Sequence, residues 1–337
     1  MSKKVKFALF AAIAACEVVL LFWLATLLHV KRNKYEKPPS LVGNSQQSRQ
    51  KVRPYLPGKA FSVGACGDLR SDETFDRLAA ELRKADLAFL VLLGDLARDP
   101  EPEEHSFLRY KMHKTWRFPF PVFLLPGNHD VDPRSYSIER FERVYGPVRF
   151  SLVRGPLRFI FLDILPKRQS NEEALLFLEN ELRRAKKEKQ RCFVFGHGSP
   201  HVSKHVGGRK FAGEDRLVEL LLKYQAEYYI GGDFHGYCRT KKGSTVFIST
   251  GGGGANLAYK NGFGFHHAFL LRIGSDKVVE QLCVVPKKVS PIHYAVYWAV
   301  MAEAHLGELS WLLPVAVCLL LAFFALKVVG KSYRKST

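Results

Sequence analysis

Five times between residues 61 and 236 an apolar run ends in a glycine followed by residues able to bind a metal or carry a proton. They are GDLR at 67–70, GDLARD at 94–99, GNHD at 127–130, GHGSPH at 196–201 and GGDFHG at 231–236. One GD or GH dipeptide marks a turn and little else. Five in series, each straight after a strand-like run, constrain the fold far more. The preceding runs, such as FSVGA, LAFLVLL, PVFLL and CFVF, are short and punctuated by Gly and Asp, as buried strands are. Helix-length amphipathic stretches, TFDRLAAELRKA and EEALLFLENELRRAKKEK, lie between them. Strands joined by helical crossovers build an α/β domain, and the loops beyond the carboxyl ends of such strands open on one crevice. Residues distant in sequence are therefore expected in one site. Past Tyr228 the chain is strand-rich (STVFIST, HHAFLLRIG, KVVEQLCVV), no internal repeat is visible, and one domain is read over residues 59–288.

In these five motifs the chain resembles the calcineurin-like metallophosphoesterases, whose pattern runs DxH, GDxx, GNHD or GNHE, a lone His, and GHxH. The resemblance covers residues 61 to about 285, including the closing strands after STGGGGA. It implies a four-layer αββα sandwich and a centre of two divalent ions, Mn, Fe, Zn or Mg, that hydrolyses a phosphate ester. Carried over residue by residue, it makes Asp68 and His235 ligands of a first metal, Asp95 the bridging carboxylate, and Asn128 and His197 ligands of a second. His129 would stabilise the transition state or protonate the leaving oxygen, with Asp130 orienting it. Two divalent cations about 4 Å apart polarise phosphoryl oxygens and acidify a bridging water. A carboxylate bridge holds their separation, and imidazoles supply neutral ligands or a proton.

Two positions depart from that pattern. Arg70 stands where DxH has histidine, and Asp233 where GHxH has its first histidine. Arginine stays protonated and cannot coordinate a metal. The place three residues after Asp95, a tyrosine ligand in the purple acid phosphatase branch, is Arg98. The first metal thus keeps three ligands, whereas the second gains Asp233 as an oxygen donor and is the more complete. An added carboxylate favours harder ions such as Mn²⁺ or Mg²⁺. Arg70 is expected to face the phosphate as a catalytic fork of donors, or else to bridge to Asp233 or Asp68. The two substitutions cancel in formal charge and would balance one another if they touch. A catalytically weakened binding or scaffold protein is the alternative they leave open.

The two ends of the chain read differently. Residues 7–30, after MSKKVK, are apolar for long enough to span a bilayer, which needs about 20 helical residues, and residues 309–329 form a second candidate. Lys327, Lys331, Arg334 and Lys335 follow the second run, so the positive-inside rule puts both tails in the cytoplasm and the domain between them on the exported side. Residues 31–58 read as a polar, proline-bearing tether, and 291–307, rich in Tyr and Trp, as either an interfacial helix or one more core helix. Ile13-Ala14-Ala15-Cys16 resembles a lipoprotein cleavage site, but the apolar run continues beyond it. The balance of 51 Lys and Arg against 32 Asp and Glu attracts anions, lipid headgroups among them, without naming a partner. RYKMHKTWRF at 109–118 is read as a solvated or lipid-facing helix face rather than a nucleic-acid surface. Gly251–Gly254 lacks the Lys-Ser or Lys-Thr of a phosphate loop and reads as a turn beside the cleft. His201, His205, His266 and His267 are left to structural or substrate-contact roles. The cysteines show no CxxC spacing, and Cys66 and Cys192 read as buried free thiols.

Overall fold

The computed structural model describes residues 3–203, 206, 210–257, 264–288, 290–307 and 309–333. It divides into Tyr35–Val289 and a terminal unit made of Met1–Lys34 with Ser290–Thr337. The helices are α1 (Lys3–Arg32), α2 (Gln46–Gln50), α3 (Glu73–Leu82), α4 (Pro102–Lys111), α5 (Ile138–Tyr145), α6 (Glu172–Lys187), α7 (Glu214–Lys223), α8 (Pro291–Leu306) and α9 (Leu309–Tyr333). The strands are β1 (Phe61–Cys66), β2 (Phe89–Leu92), β3 (Val122–Leu124), β4 (Phe150–Arg154), β5 (Leu157–Phe161), β6 (Arg191–Phe195), β7 (Tyr228–Gly231), β8 (Tyr237–Lys242), β9 (Thr245–Thr250), β10 (His266–Ile273) and β11 (Val278–Val285).

Strand alternation decides the layering. Phe61, Val63, Phe89, Val91 and Phe123 on one sheet meet Phe159, Phe161, Phe193, Phe195 and Ile230 on the other in a single inter-sheet core. Alternate residues Leu90, Leu92, Val122 and Leu124 turn outward onto Phe75, Leu78 and Leu82 of α3 and Leu108 of α4. On the far side Ile160, Val194 and Tyr229 pack on Leu175, Leu178 and Leu182 of α6 and Leu217 and Leu220 of α7. Successive side chains point to opposite faces, so runs apolar throughout can serve two cores at once. The order is helix, sheet, sheet, helix.

The first sheet runs β11-β10-β1-β2-β3 and the second β4-β5-β6-β7-β9-β8. β1, β2 and β3 are mutually parallel, as are β5, β6, β7 and β9. The loops after β1, β2, β3, β6 and β7 carry the five polar motifs, and the site lies there.

Two expectations need correction in this unit. The supposed tether is packed onto the domain from residue 35 onward. Val42 forms a bridge with Val122 beside β3, and the buried Asn44 side chain gives its amide to the Leu124 and Pro147 carbonyls while accepting from the Leu124 N–H. A few buried side chains fix a segment that has no period to betray it. The stretch 109–118 is not a solvated face either. Lys111 is buried and ion-paired with Asp76, Trp116 is fully buried with its indole N–H on Asp76 at 2.7 Å, and Arg109 donates to the Tyr35 carbonyl. All six cysteines are free, with Cys66 and Cys192 buried.

In the terminal unit α1 packs against α8 and α9. Among the described residues one helix is long and apolar enough to cross a membrane, Phe10–Arg32, with a mean hydropathy of 2.3. The described apolar part of α9, Leu309–Phe324, falls short of the required length, and Arg334 and Lys335 lie outside the described residues. Helix α8 starts where Ser290 caps the His293 N–H and Pro291 takes the first turn. It belongs to this unit and not to the sheet core. Ile292 and Trp298 are exposed on it, while Ala299, Val300 and Met301 are buried.

Candidate metal centre

The site is made where strands stop. Asp68, Arg70, Ser71, Asp95 and Asp233 all have φ between 48° and 59°, the left-handed region that costs an ordinary residue about 1–3 kcal/mol. That geometry turns the backbone sharply at each strand end. It is held by bonds between loops: Asp68 N–H donates to the Gly94 carbonyl, Arg70 N–H to Asp95 O, and Ala255 N–H to Asp68 O. Glycine is needed where these loops touch. A Cβ on Gly127 would lie 2.2 Å from the Asp95 amide nitrogen, and one on Gly251 would lie 2.5 Å from Asp68 Oδ2.

Two imidazoles are set by backbone acceptors. His197 donates from Nδ1 to the Leu93 carbonyl at 2.7 Å and His235 from Nδ1 to Asn256 O at 2.8 Å. Each Nε2 is thereby turned on the carboxylates. His197 Nε2 is 3.4 Å from Asp95 Oδ1 and 3.8 Å from Asp233 Oδ1, and His235 Nε2 is 3.2 Å from Asp68 Oδ1. Ligand atoms of Asp68, Asp95 and His235 all lie within 4.8 Å of one another. Donors that share an ion through bonds of about 2.0–2.2 Å are separated by roughly 3–4 Å, so the three would close on an ion with side-chain shifts of about 1 Å or less.

A second observation tests the fit. Both carboxylate oxygens of Asp68 and Nε2 of His197 are buried without a hydrogen-bond partner. Buried acceptors are rarely left unsatisfied, and a cation among them resolves three at once. The ionisation tendencies agree. Burial pulls the His197 imidazole down, but Asp95, Asp68 and Asp233 outweigh it and raise it to about 9. Burial raises the Asp68 carboxyl, whereas for Asp95 burial is overcome by His197, Arg70 and His129, which hold it low. The carboxylates create a negative field at His197 that draws a proton and would equally draw a metal ion.

Arg70 does not bridge to Asp233 or Asp68. Its Nη2 donates to Asp95 Oδ2 at 2.8 Å and its Nη1 to the Arg98 carbonyl at 3.0 Å. The left-handed turn at residue 70 runs its backbone along the loop after β2, which brings the side chain to Asp95 first. Asp130 does not orient the His129 ring. It is fully buried and takes the N–H groups of Leu96, Ala97 and Gly127 at 2.8, 2.9 and 2.7 Å. Burial and the nearby Asp95 push its carboxyl up to about 7 against the pull of those amides. The acceptor that orients His129 is the Arg98 carbonyl, 2.8 Å from Nδ1. Burial lowers the His129 pKa. Asn128 lies half-buried between Gly127 and His129.

His201 pairs with Glu214 on α7. His266 donates to Gly252 O, and the buried His267 donates to Phe265 O and accepts from Thr250, so both hold the glycine run in place. His205 lies outside the described residues. The residues that sequence reasoning missed are Leu93, Arg98 and Asn256. They act through backbone carbonyls, which every residue possesses, so no side-chain signal marks them.

The fold and this cluster define a phosphoesterase class built on two stacked sheets. The family model described as calcineurin-like phosphoesterase matches residues 61–237, and the chain belongs to that family. No curated protein matches it. Solved structures with the same fold include GAP50, the anchor in the inner membrane complex of Plasmodium, at 13% identity and TM-score 0.54, over 71% of this chain and 95% of that one. A dimetal phosphatase from Danio rerio is 13% identical with TM-score 0.51, over 69% and 98%. The purple acid phosphatase PPD1 from yellow lupin seeds is 18% identical with TM-score 0.51, over 69% and 52%.

Proposed function

We propose that the chain is a metal-dependent phosphate-ester hydrolase tethered to a membrane. The observation that carries this reading is the set of buried, unpartnered atoms, Asp68 Oδ1 and Oδ2 and His197 Nε2, collected beside Asp95, Asp233 and His235. Asp68, Asp95 and His235 would hold one ion, and Asp95, Asn128, His197 and Asp233 another. Bound divalent ions supply the charge that polarises the phosphoryl group and acidifies water. The chain's own residues do the rest. Leu93 and Asn256 lock the imidazoles in the tautomer whose lone pair faces inward. Arg98 holds the His129 ring with Nε2 as its remaining nitrogen, the atom able to exchange a proton with the leaving oxygen. Arg70 keeps a fixed positive charge on Asp95.

Helix α1 would anchor the protein, with residues 309–329 as a second span and 291–307 along the interface, leaving the domain on the exported side. Lipid-linked esters would then be among the reachable substrates. The test uses full-length protein in detergent with Mn²⁺ and an aryl phosphate. Hydrolysis is expected, and Asp95→Ala and His197→Ala should each abolish it. Turnover unchanged by either substitution refutes the assignment.

One observation favours a second reading, that of a scaffold binding phosphate esters without turnover. Arg70 already supplies Asp95 with a cation. Elemental analysis of the purified protein separates the two, since near-stoichiometric metal contradicts the scaffold.

A further inference from the structure

Arg70 and His129 come from different loops yet rest on the same two acceptors. The Asp95 carboxylate takes Arg70 Nη2 at 2.8 Å and the His129 backbone N–H at 2.9 Å. The Arg98 carbonyl takes Arg70 Nη1 at 3.0 Å and His129 Nδ1 at 2.8 Å. Four bonds therefore fix the guanidinium and the imidazole side by side at the edge of the carboxylate cluster. A guanidinium has five N–H donors in a rigid fork, and these bonds use two of them. Nε is buried and closed to a ligand, which leaves one unused N–H on each terminal nitrogen of a side chain 18% exposed. Charged donors of this kind are complemented by an anionic oxygen.

We propose that Arg70 makes the centre select phosphate monoesters over diesters by binding the third unesterified oxygen. This rests on the reading of the chain as a phosphoesterase. Asp68, Asp95, Asp233 and the two inward Nε2 atoms present lone pairs, so they reach a phosphate only through bound cations. Arg70 reaches it directly, because a guanidinium keeps its proton and cannot itself ligate a metal. A monoester carries three unesterified oxygens and nearly two negative charges at neutral pH. A diester carries two such oxygens and one charge. Two oxygens serve the metal-binding side of the crevice in either substrate. The third is an anionic acceptor only in the monoester. In the diester it bears carbon, accepts poorly and brings bulk against a side chain only 18% exposed. In the reaction the water oxygen bonds to phosphorus as the ester P–O bond breaks, and the alcohol leaves with a proton. Arg70 takes no part in that proton transfer. Histidine to arginine thus exchanges a metal ligand for a permanent anion donor.

The experiment compares kcat/KM for 4-nitrophenyl phosphate and bis(4-nitrophenyl) phosphate in the Mn²⁺-loaded full-length protein. The monoester should be preferred. Arg70→Gln should lower kcat/KM for both esters through its loss from Asp95, and should lower the monoester value by a further factor of roughly 10 to 100, the worth of a charge-assisted hydrogen bond. Arg70→Lys should retain part of the preference. Metal content is measured alongside, and where Arg70→Gln loses metal the ratio is read on Arg70→Lys. Calorimetric titration with phenyl phosphate and diphenyl phosphate gives a readout free of turnover. If neither ester is hydrolysed but phenyl phosphate binds more tightly and Arg70→Gln removes the difference, the role of Arg70 stands and the hydrolase reading falls. A wild-type preference for the diester, or equal losses on both esters, overturns the proposal.

Discussion

Replacing Asp130 separates a chemical role from a structural one. Its carboxylate is fully buried and accepts from three backbone N–H groups, those of Leu96, Ala97 and Gly127. Two belong to the loop that follows Asp95 and one to the loop that presents Asn128 and His129. A hydrogen bond contributes about 1 kcal/mol to a neutral acceptor and about 1.5–3 kcal/mol to a charged one, and burial and Asp95 raise this carboxyl to about 7, so it is only partly ionised at neutral pH. Three bonds then sum to roughly 3–6 kcal/mol, and relief of the buried charge brings the net loss in Asp130→Ala to about 2–4 kcal/mol. That is a large part of the 5–15 kcal/mol typical of a folded domain. Asp130→Asn keeps the shape and one carbonyl oxygen, but sets an amide N–H₂ against one of the N–H donors, so a loss of about 2 kcal/mol is expected. The assay is hydrogen exchange at residues 96, 97 and 127 in the full-length protein, with urea unfolding as the global measure. Protection at these amides should fall at least 30-fold in both variants, and activity should fall in step with it. If Asp130→Asn retained full protection and urea midpoint yet lost turnover, the carboxylate would be acting chemically on His129, and the structural account would be wrong.

Acid should destabilise the domain through His105, which is buried against the stacked Tyr136 ring at 3.6 Å and depressed to about 3 by burial. The unfolded chain binds this proton near pH 6.5 and the folded one does not, so stability falls as pH drops from 6.5 towards 3, by roughly 2 kcal/mol between pH 6.5 and 5. Urea midpoints at the two pH values check this, and His105→Gln should flatten the difference by that amount. Gly251→Ala would place a Cβ 2.5 Å from Asp68 Oδ2 and 2.2 Å from the Phe234 carbonyl. Bound metal, measured by elemental analysis, should fall at least tenfold while the sheet domain still folds by circular dichroism. Removing metal with a chelator should lower the melting temperature, by the equivalent of about 4 kcal/mol if the free ion had been at 1,000 times its dissociation constant. Asp68→Asn should shrink that difference, and a melting temperature indifferent to chelator would contradict the centre.

The strands bearing Asp68, Asp95, His129 and His197 were legible because their signal is local: an apolar run, a glycine and a polar side chain at a strand end. The β4–β5 hairpin was not, since RFSLVRGPLRFIF offers no helix between its halves and its turn rests on one glycine with φ 56°. Residues 35–58 and 109–118 were misread for a related reason. Their burial depends on partners such as Val122, Leu124 and Asp76, which are tens of residues away, and composition cannot show whether a lysine stem ends in water or on a carboxylate.

The partner of Arg70 lay beyond the sequence on the same grounds, because three carboxylates were available and only the left-handed turn selects one. The outcome changes what the two unusual residues mean together. Arg70 reaches Asp95 at 2.8 Å, Asp95 faces His197 at 3.4 Å, and His197 faces Asp233 at 3.8 Å. The added cation and the added anion therefore stand at opposite ends of one chain of charges, and Asp95 and His197 carry whatever coupling exists between them. Each has a separate consequence: Arg70 places a fixed positive donor on the carboxylate common to both proposed metal positions, while Asp233 deepens the negative field around the His197 nitrogen. One change supplies a cation and the other strengthens the hold on one, so with Arg70 and Asp233 in place of two histidines the proposed centre still offers the carboxylates and imidazoles that a metal would need.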